Sequence, residues 1–124
     1  MAVITQILDN GPRRYVIKVD IAASANADTE IVPASALATG DNLSLYRAQW
    51  SFANSAANPA AETVLIEWEA TADVAALYMV TGQAFEVCFE QGIPNNSGAG
   101  KTGAVSITNS ATVTGTVILE FKKN

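Results

Sequence analysis

ETVLIEWEATADVAALYMVTGQAFEVCFE, residues 62–90, contains two segments in which apolar and polar side chains alternate. Side chains two residues apart lie on the same face of an extended chain, so this period indicates strands with one buried face. The apolar sides are formed by Val64, Ile66 and Trp68 in the first segment and by Phe85, Val87 and Phe89 in the second. We interpret the stretch as the middle of an antiparallel β-domain.

The same pattern predicts strands along the rest of the chain. They are Arg13–Ile21, Glu30–Val32, Leu43–Ala53, Leu77–Val80, Ala104–Thr108 and Ala111–Lys122. Apolar residues never recur at helical spacing over ten residues. A chain of 124 residues is long enough for one self-supporting core. We therefore predict a single all-β domain over residues 1–124, an antiparallel β-sandwich, jelly-roll-like, of about seven to nine short strands.

The connections are predicted from turn-forming residues. Residues 22–29, 54–61 and 91–103 are expected to be loops, and residues 34–42 to hold one helical turn that Gly40 ends. Residues 2–8 form either an edge strand or part of an N-terminal arm over residues 1–12.

Alternation also predicts which side chains are buried. The expected core face of the first long strand is Tyr15, Ile17, Val19 and Ile21. In Leu43–Ala53 the aromatic side, which is Tyr46, Ala48, Trp50 and Phe52, is expected to face the core. Leu43 and Leu45 then face outward with Arg47.

Charge excludes one class of function. The net charge is −5 and the basic residues are scattered, whereas nucleic-acid binding requires a basic stripe. Charged residues make up only 15% of the chain, against about 25% in an average domain. Such a surface is either covered by partners or is a neutral, Thr-rich β-surface.

Cys88 is the only cysteine, so no intrachain disulfide forms. The N-terminal residues lack the pattern of a secretory signal, and no apolar run approaches the roughly 20 residues of a membrane span. We expect a protein that is made in a cytoplasm and does not associate with membranes.

The residues that could carry chemistry are few. Gly100-Lys101-Thr102 matches the end of a phosphate-binding loop, but Asn95 occupies the position of its first glycine and a predicted strand follows. The chain has no histidine, so histidine-dependent triads and metal sites are excluded. We expect no enzyme activity and no cofactor.

Three further sets have a structural interpretation that we prefer. Glu67 and Glu69 share one strand face, as solvated carboxylates often do. Trp50 and Trp68 are in register with core residues. The aspartates near loops lack the spacing of a calcium loop, so we predict no metal site; they are Asp9, Asp20, Asp28, Asp41 and Asp73.

Three stretches together resemble a known family. They are Leu8–Arg13, Trp68–Val74 and the loop Gly92–Gly103, whose Asn-Asn-x-Gly-x-Gly pattern is the most specific. In order and spacing they resemble small virion structural proteins of tailed bacteriophages. The chain departs from that pattern at Glu69, where Asp is frequent, and at Ala72, where Thr is frequent.

The resemblance implies a capsid cement or decoration protein that binds the outside of the major capsid protein shell and bridges neighbouring subunits. It implies a virion location and contacts between copies of the chain. We expect the Gly92–Gly103 loop and the Ala2–Arg13 segment to meet these partners. The candidate contact residues are Arg13, Arg14, Asn95, Asn96, Gly98, Gly100 and Lys101.

Two alternatives stay open at this point. One is a tail or head–tail subunit of the same kind of particle. The other, of a different class, is a carbohydrate-binding module that uses an exposed Trp or Tyr side chain.

Overall fold

The computed structural model describes residues 3–37, 42–55 and 61–123, and within them it contains nine strands and one short 3-10 helix. The strands are β1 (Val3–Asn10), β2 (Arg14–Ala22), β3 (Asn26–Val32), β4 (Leu43–Asn54), β5 (Thr63–Trp68), β6 (Val74–Val80), β7 (Gln83–Pro94), β8 (Val105–Asn109) and β9 (Val113–Lys123). The 3-10 helix, Ala34–Ala36, is the predicted single turn. Its predicted end at Gly40 and positions 56–60 of the predicted turn lie outside the described residues.

The strands form two antiparallel sheets, β1-β2-β9-β4-β7 and β3-β8-β5-β6. Strand β2 pairs with β9, β3 with β8, β4 with β7 and β5 with β6. The eight strands from β2 to β9 are therefore one long hairpin that is rolled into a sandwich, which is the jelly-roll topology. Strand β1 adds to the free side of β2. The predicted fold class is confirmed.

The core lies between the inner faces of the two sheets. Tyr15, Ile17, Val19 and Ile21 are buried on β2, as predicted from their spacing. In the other sheet, β5 contributes Val64, Ile66 and Trp68, all fully buried. Trp68 reaches the other sheet directly, because its ring lies edge-on to Phe121 of β9 with 5.9 Å between the centroids.

The predicted faces of β4 are wrong at one end. Leu43 and Leu45 are fully buried, although alternation placed them outward. The cause is a β-bulge: Leu45 pairs with Phe121 and Arg47 with Glu120, so Tyr46 is an extra residue. A bulge reverses which face the following side chains occupy. Ala48 and Phe52, beyond the bulge, are buried as predicted.

Strand β6 begins at Val74, three residues before the predicted Leu77, and two further boundaries also differ from the prediction. Strand β3 begins at Asn26, inside the predicted loop 22–29, because Asn26 pairs with Asn109 through a buried side-chain hydrogen bond of 2.8 Å. Strand β7 continues to Pro94, because its pairing with β4 resumes at Leu45–Ile93 after a four-residue irregularity, residues 89–92, that follows the pair Arg47–Cys88. In that irregularity Gly92 has φ +76° and lies against the Tyr46 ring, where a side chain would collide.

For the N-terminal segment the sequence left two alternatives, an edge strand or an arm. Residues 3–10 form an edge strand, since β1 pairs with β2 from Val3 to Asn10. The described part of the chain contains no helix with the length and hydrophobicity that a membrane span requires.

Trp68 provides a test of this core. We expect Trp68→Ala to lower the free energy of unfolding by about 3–5 kcal/mol, a large part of the roughly 5–15 kcal/mol of a typical domain. Trp68→Phe should cost roughly 1–2 kcal/mol, because Trp68 Nε1 has no hydrogen-bond partner to lose. Denaturant unfolding followed by circular dichroism measures both. A cost of Trp68→Ala below about 1 kcal/mol would contradict the packing described here.

Candidate interaction surface

One end of the sandwich combines the two segments that the sequence predicts to meet partners. Arg14 pairs with Lys122, Lys122 with Ser44, and Ser44 with Pro94, so these residues form one row across four strands. Three strand spacings of about 4.8 Å separate the two ends of the row by roughly 14 Å. The β1–β2 turn and the loop at 95–104, which we together call the end surface, therefore lie at the same end of the sandwich, with the ends of β9 and β4 between them.

The loop at 95–104 is held in place by the β5–β6 turn. The Thr71 N–H donates to the Ala99 carbonyl at 3.2 Å, and the Thr102 N–H donates to the Glu69 carbonyl at 3.2 Å. The Glu69 N–H donates to the Ala104 carbonyl at 3.1 Å. These backbone contacts fix the loop at three points, so its surface is formed before any partner binds.

Asparagine and glycine shape the same loop internally. The Asn95 carbonyl oxygen Oδ1 accepts hydrogen bonds from the Ser97 N–H at 3.0 Å and from Ser97 Oγ at 2.6 Å. Gly98 and Gly100 adopt φ values of +76° and +75°, which favour glycine. A Cβ on Gly100 would overlap the Thr71 side chain, whereas Gly98 faces open space.

The structure separates the seven predicted contact residues into two groups. Asn95 is half-buried in its turn, Gly100 lies against Thr71, and Arg14 forms ion pairs with Asp9 at 3.1 Å and Glu120 at 3.5 Å. These residues shape the end surface. The remaining four are exposed at the same end of the sandwich, as Arg14 and Gly100 also are; they are Arg13, Asn96, Gly98 and Lys101. Contact of all seven with a partner stays a prediction.

A cluster of carboxylates lies on the outer face of the four-stranded sheet, close to the β5–β6 turn. One carboxylate oxygen each of Asp28, Glu67 and Asp73 lies within 4.8 Å of the others. Ser106 Oγ donates to Asp28 at 2.9 Å and Thr108 Oγ1 donates to Glu67 at 2.7 Å. The three oxygens are close enough to share a divalent cation, but exposed acidic groups commonly occur without one, and we assign no metal to them.

Crowding of these carboxylates changes their pKa values. The hydrogen bond between Asp28 and Asp73 raises the pKa of Asp28, while the Ala70 N–H holds the pKa of Asp73 below its ordinary value. Burial and the nearby charges of Glu30 and Asp28 raise the pKa of Glu69. For Asp28 and Glu69 the folded state binds protons more readily than the unfolded chain, so their contribution to stability falls as the pH rises through the raised pKa.

Charge is divided unequally between the two sheets. The five-stranded sheet and its first turn carry near-balanced charges, with six cations and five carboxylates; the cations are Arg13, Arg14, Lys18, Arg47, Lys122 and Lys123. The four-stranded sheet and its flanking turns carry carboxylates against a single described cation, Lys101; the carboxylates are Asp28, Glu30, Glu62, Glu67, Glu69 and Asp73. The excess negative charge of the described residues therefore belongs to one face.

The other residues that the sequence singled out are dispersed. Trp68 is fully buried and Trp50 is half-buried against Phe85, at 5.8 Å between ring centroids, so neither presents a flat exposed ring. Cys88 is exposed on β7. The loop at 95–104 leads into strand β8, which rules out the helix that a phosphate-binding loop requires.

Sequence reasoning missed two features. The carboxylate cluster combines residues from β3, β5 and the β5–β6 turn, and no local signal indicates that they meet. The exposed apolar side chains of β1, which are Ile4, Ile7 and Leu8, were also missed. The signal available in the sequence was the high content of apolar residues in a segment that is predicted to form a sheet edge.

Comparison with protein-family models, with curated proteins and with solved structures found no match of any of the three kinds.

Gly98 and Gly100 provide a matched test of how the loop is held. Each Gly→Ala change forces a side chain into positive φ, at a cost of about 1–2 kcal/mol. Gly100→Ala should cost more than Gly98→Ala, because only at position 100 does the added Cβ meet Thr71. It should also speed hydrogen exchange at the Thr71 and Thr102 amides, which Gly98→Ala should leave protected. Equal costs and equal exchange rates would show that the loop is not anchored at Thr71.

Proposed function

We propose that the chain is a bacteriophage virion structural protein that binds the outside of the major capsid shell and bridges neighbouring subunits. The observation that supports the proposal is the end surface, where the β1–β2 turn and the loop at 95–104 are exposed and the loop is held in place by hydrogen bonds to the β5–β6 turn. The sequence resemblance described above supplies the partner. Jelly rolls occur in capsid proteins and also in lectins, so the fold supports the proposal only by analogy.

A protein that bridges shell subunits has to transmit load without deforming. In this chain both parts of the end surface begin directly at strand ends. In the β1–β2 turn, the Arg13 carbonyl accepts a hydrogen bond from the Lys123 N–H of β9 at 2.9 Å. The loop at 95–104 follows Pro94, the last residue of β7. The loop is tied to the β5–β6 turn through Thr71 and Glu69. The contact area is therefore continuous with the sandwich, and binding orders little additional backbone.

The end surface carries two exposed cations, and their positive charge favours an acidic partner. Neither Arg13 nor Lys101 forms an ion pair with another described residue, so both are available to carboxylates of a shell. Weak contacts of this kind suffice when many copies bind a symmetric lattice.

The test uses purified virions of the phage that encodes the chain and empty heads prepared from them. We expect the double variant Arg13→Glu, Lys101→Glu to bind these heads at least about tenfold more weakly than the unaltered chain, because both cations face acidic partners. Lys18→Glu is the matched control, since it reverses a charge in the middle of β2, away from the end surface. Sedimentation of heads with bound chain, followed by quantitative mass spectrometry, measures occupancy.

Copy number in the virion distinguishes the shell from the tail. A shell protein is present on the order of hundreds of copies, as a symmetric lattice requires, and a tail or head–tail subunit is present in far fewer. Absence of the chain from purified virions, or equal binding by the double variant and the control, would overturn the proposal.

A further inference from the structure

Four strands form the open edges of the two described sheets: β1 and β7 in one, β3 and β6 in the other. Unpaired backbone N–H and C=O groups at such edges attract further strands unless charges or bulges prevent it. Edge β7 carries Glu86 and Glu90 and the irregularity at 89–92, and β3 carries Asp28 and Glu30. These two edges are protected.

Strand β1 has none of these features in its first part. Val3–Ile7 pairs with β2 residue by residue without interruption and contains no charged side chain. Strand β6 is also uncharged, but its regular stretch is only Leu77–Val80, because a bulge separates it from Val74 and Ala75. Among the described edges, β1 is thus the longest regular and uncharged one.

The side chains of β1 are also incompletely covered. Ile7 lies opposite Ile17 and therefore points to the core side of the sheet, yet it is 55% exposed. The reason is that the second sheet has four strands and does not extend over the fifth. Val3 and Thr5 share this side with Ile7. Val3 packs against the edge of the core and Thr5 is polar, so Ile7 is the apolar side chain on this side of β1 that is left without a cover.

We propose that β1 pairs antiparallel with β1 of a second copy of this chain, across a two-fold axis at Thr5. Thr5 is the midpoint of Val3–Ile7, so centring there uses the whole regular stretch. Opposite residues of such a pair share a face, which places Val3 opposite Ile7 of the other copy, Thr5 opposite Thr5, and Ile4 opposite Gln6. The strand is self-complementary in this register.

A second copy fits this edge better than another partner because each half supplies what the other lacks. Val3 of one copy covers Ile7 of the other on the core side, and no like charges meet between positions 3 and 7. The contact is small for a stable complex, so the dimer is expected to be weak and concentration-dependent. The inference does not depend on the proposed function, since it concerns the purified chain alone.

Analytical ultracentrifugation of the purified chain across a wide concentration range tests the proposal. We expect a monomer–dimer equilibrium. Thr5→Lys places two ammonium groups opposite each other and should raise the dissociation constant at least about fivefold; Thr5→Glu should do the same with two carboxylates. Mixing Thr5→Lys with Thr5→Glu should restore dimers, because opposite charges then meet at the axis.

Ala84→Lys is the matched control, since it adds the same side chain at an exposed position of β7, the other edge of the same sheet. It should leave the dimer unchanged. Circular dichroism checks that every variant folds. A chain that stays monomeric into the millimolar range would overturn the proposal. So would dimers that tolerate Thr5→Lys, or a mixture of the two charge variants that fails to dimerise.

Discussion

The inner faces of the two sheets bury each other, and the other features of the molecule depend on that contact. Each sheet alone would expose a row of apolar side chains, and a two- or three-stranded piece would be marginal in water. The contact is centred on large side chains that cross the gap, with Trp68 of β5 against Phe121 of β9. Their burial stabilises both sheets at once, so neither is expected to persist without the other.

The chain connectivity reinforces this dependence. From β2 onward only the β5–β6 connection stays within one sheet, and every other connection crosses to the opposite one. Most connections at the ends of the sandwich therefore run from one sheet to the other. This is why the loop at 95–104, with three glycines and no regular structure, is fixed against Thr71 and Glu69. The fixed position of this loop is therefore a consequence of the jelly-roll connectivity.

Local pattern was enough to predict much of this fold from the sequence, and the failures have identifiable causes. The inward residues of β2, β5 and β9 follow from alternation because β2 pairs with β9, and β5 with β8, without interruption. On β4 the inserted Tyr46 reverses the alternation, and single-residue insertions leave no mark in a hydrophobic pattern. The start of β3 depends on Asn26 meeting Asn109, a contact across 83 residues. For the candidate surface, the glycine and asparagine residues were enough to predict the loop at 95–104. That Asp28, Glu67 and Asp73 lie close together could be predicted only from the order of the strands in the sheet.

The central claim is that the two sheets form one cooperative unit, and native-state hydrogen exchange measures this most directly. We predict that the most protected amides of β2, β9 and β4 and those of β5 and β8 exchange with the same free energy and the same denaturant dependence, as expected for a single global unfolding. If the four-stranded sheet exchanged as a separate unit at clearly lower free energy, the account of a sandwich held by its mutual inner contact would be contradicted.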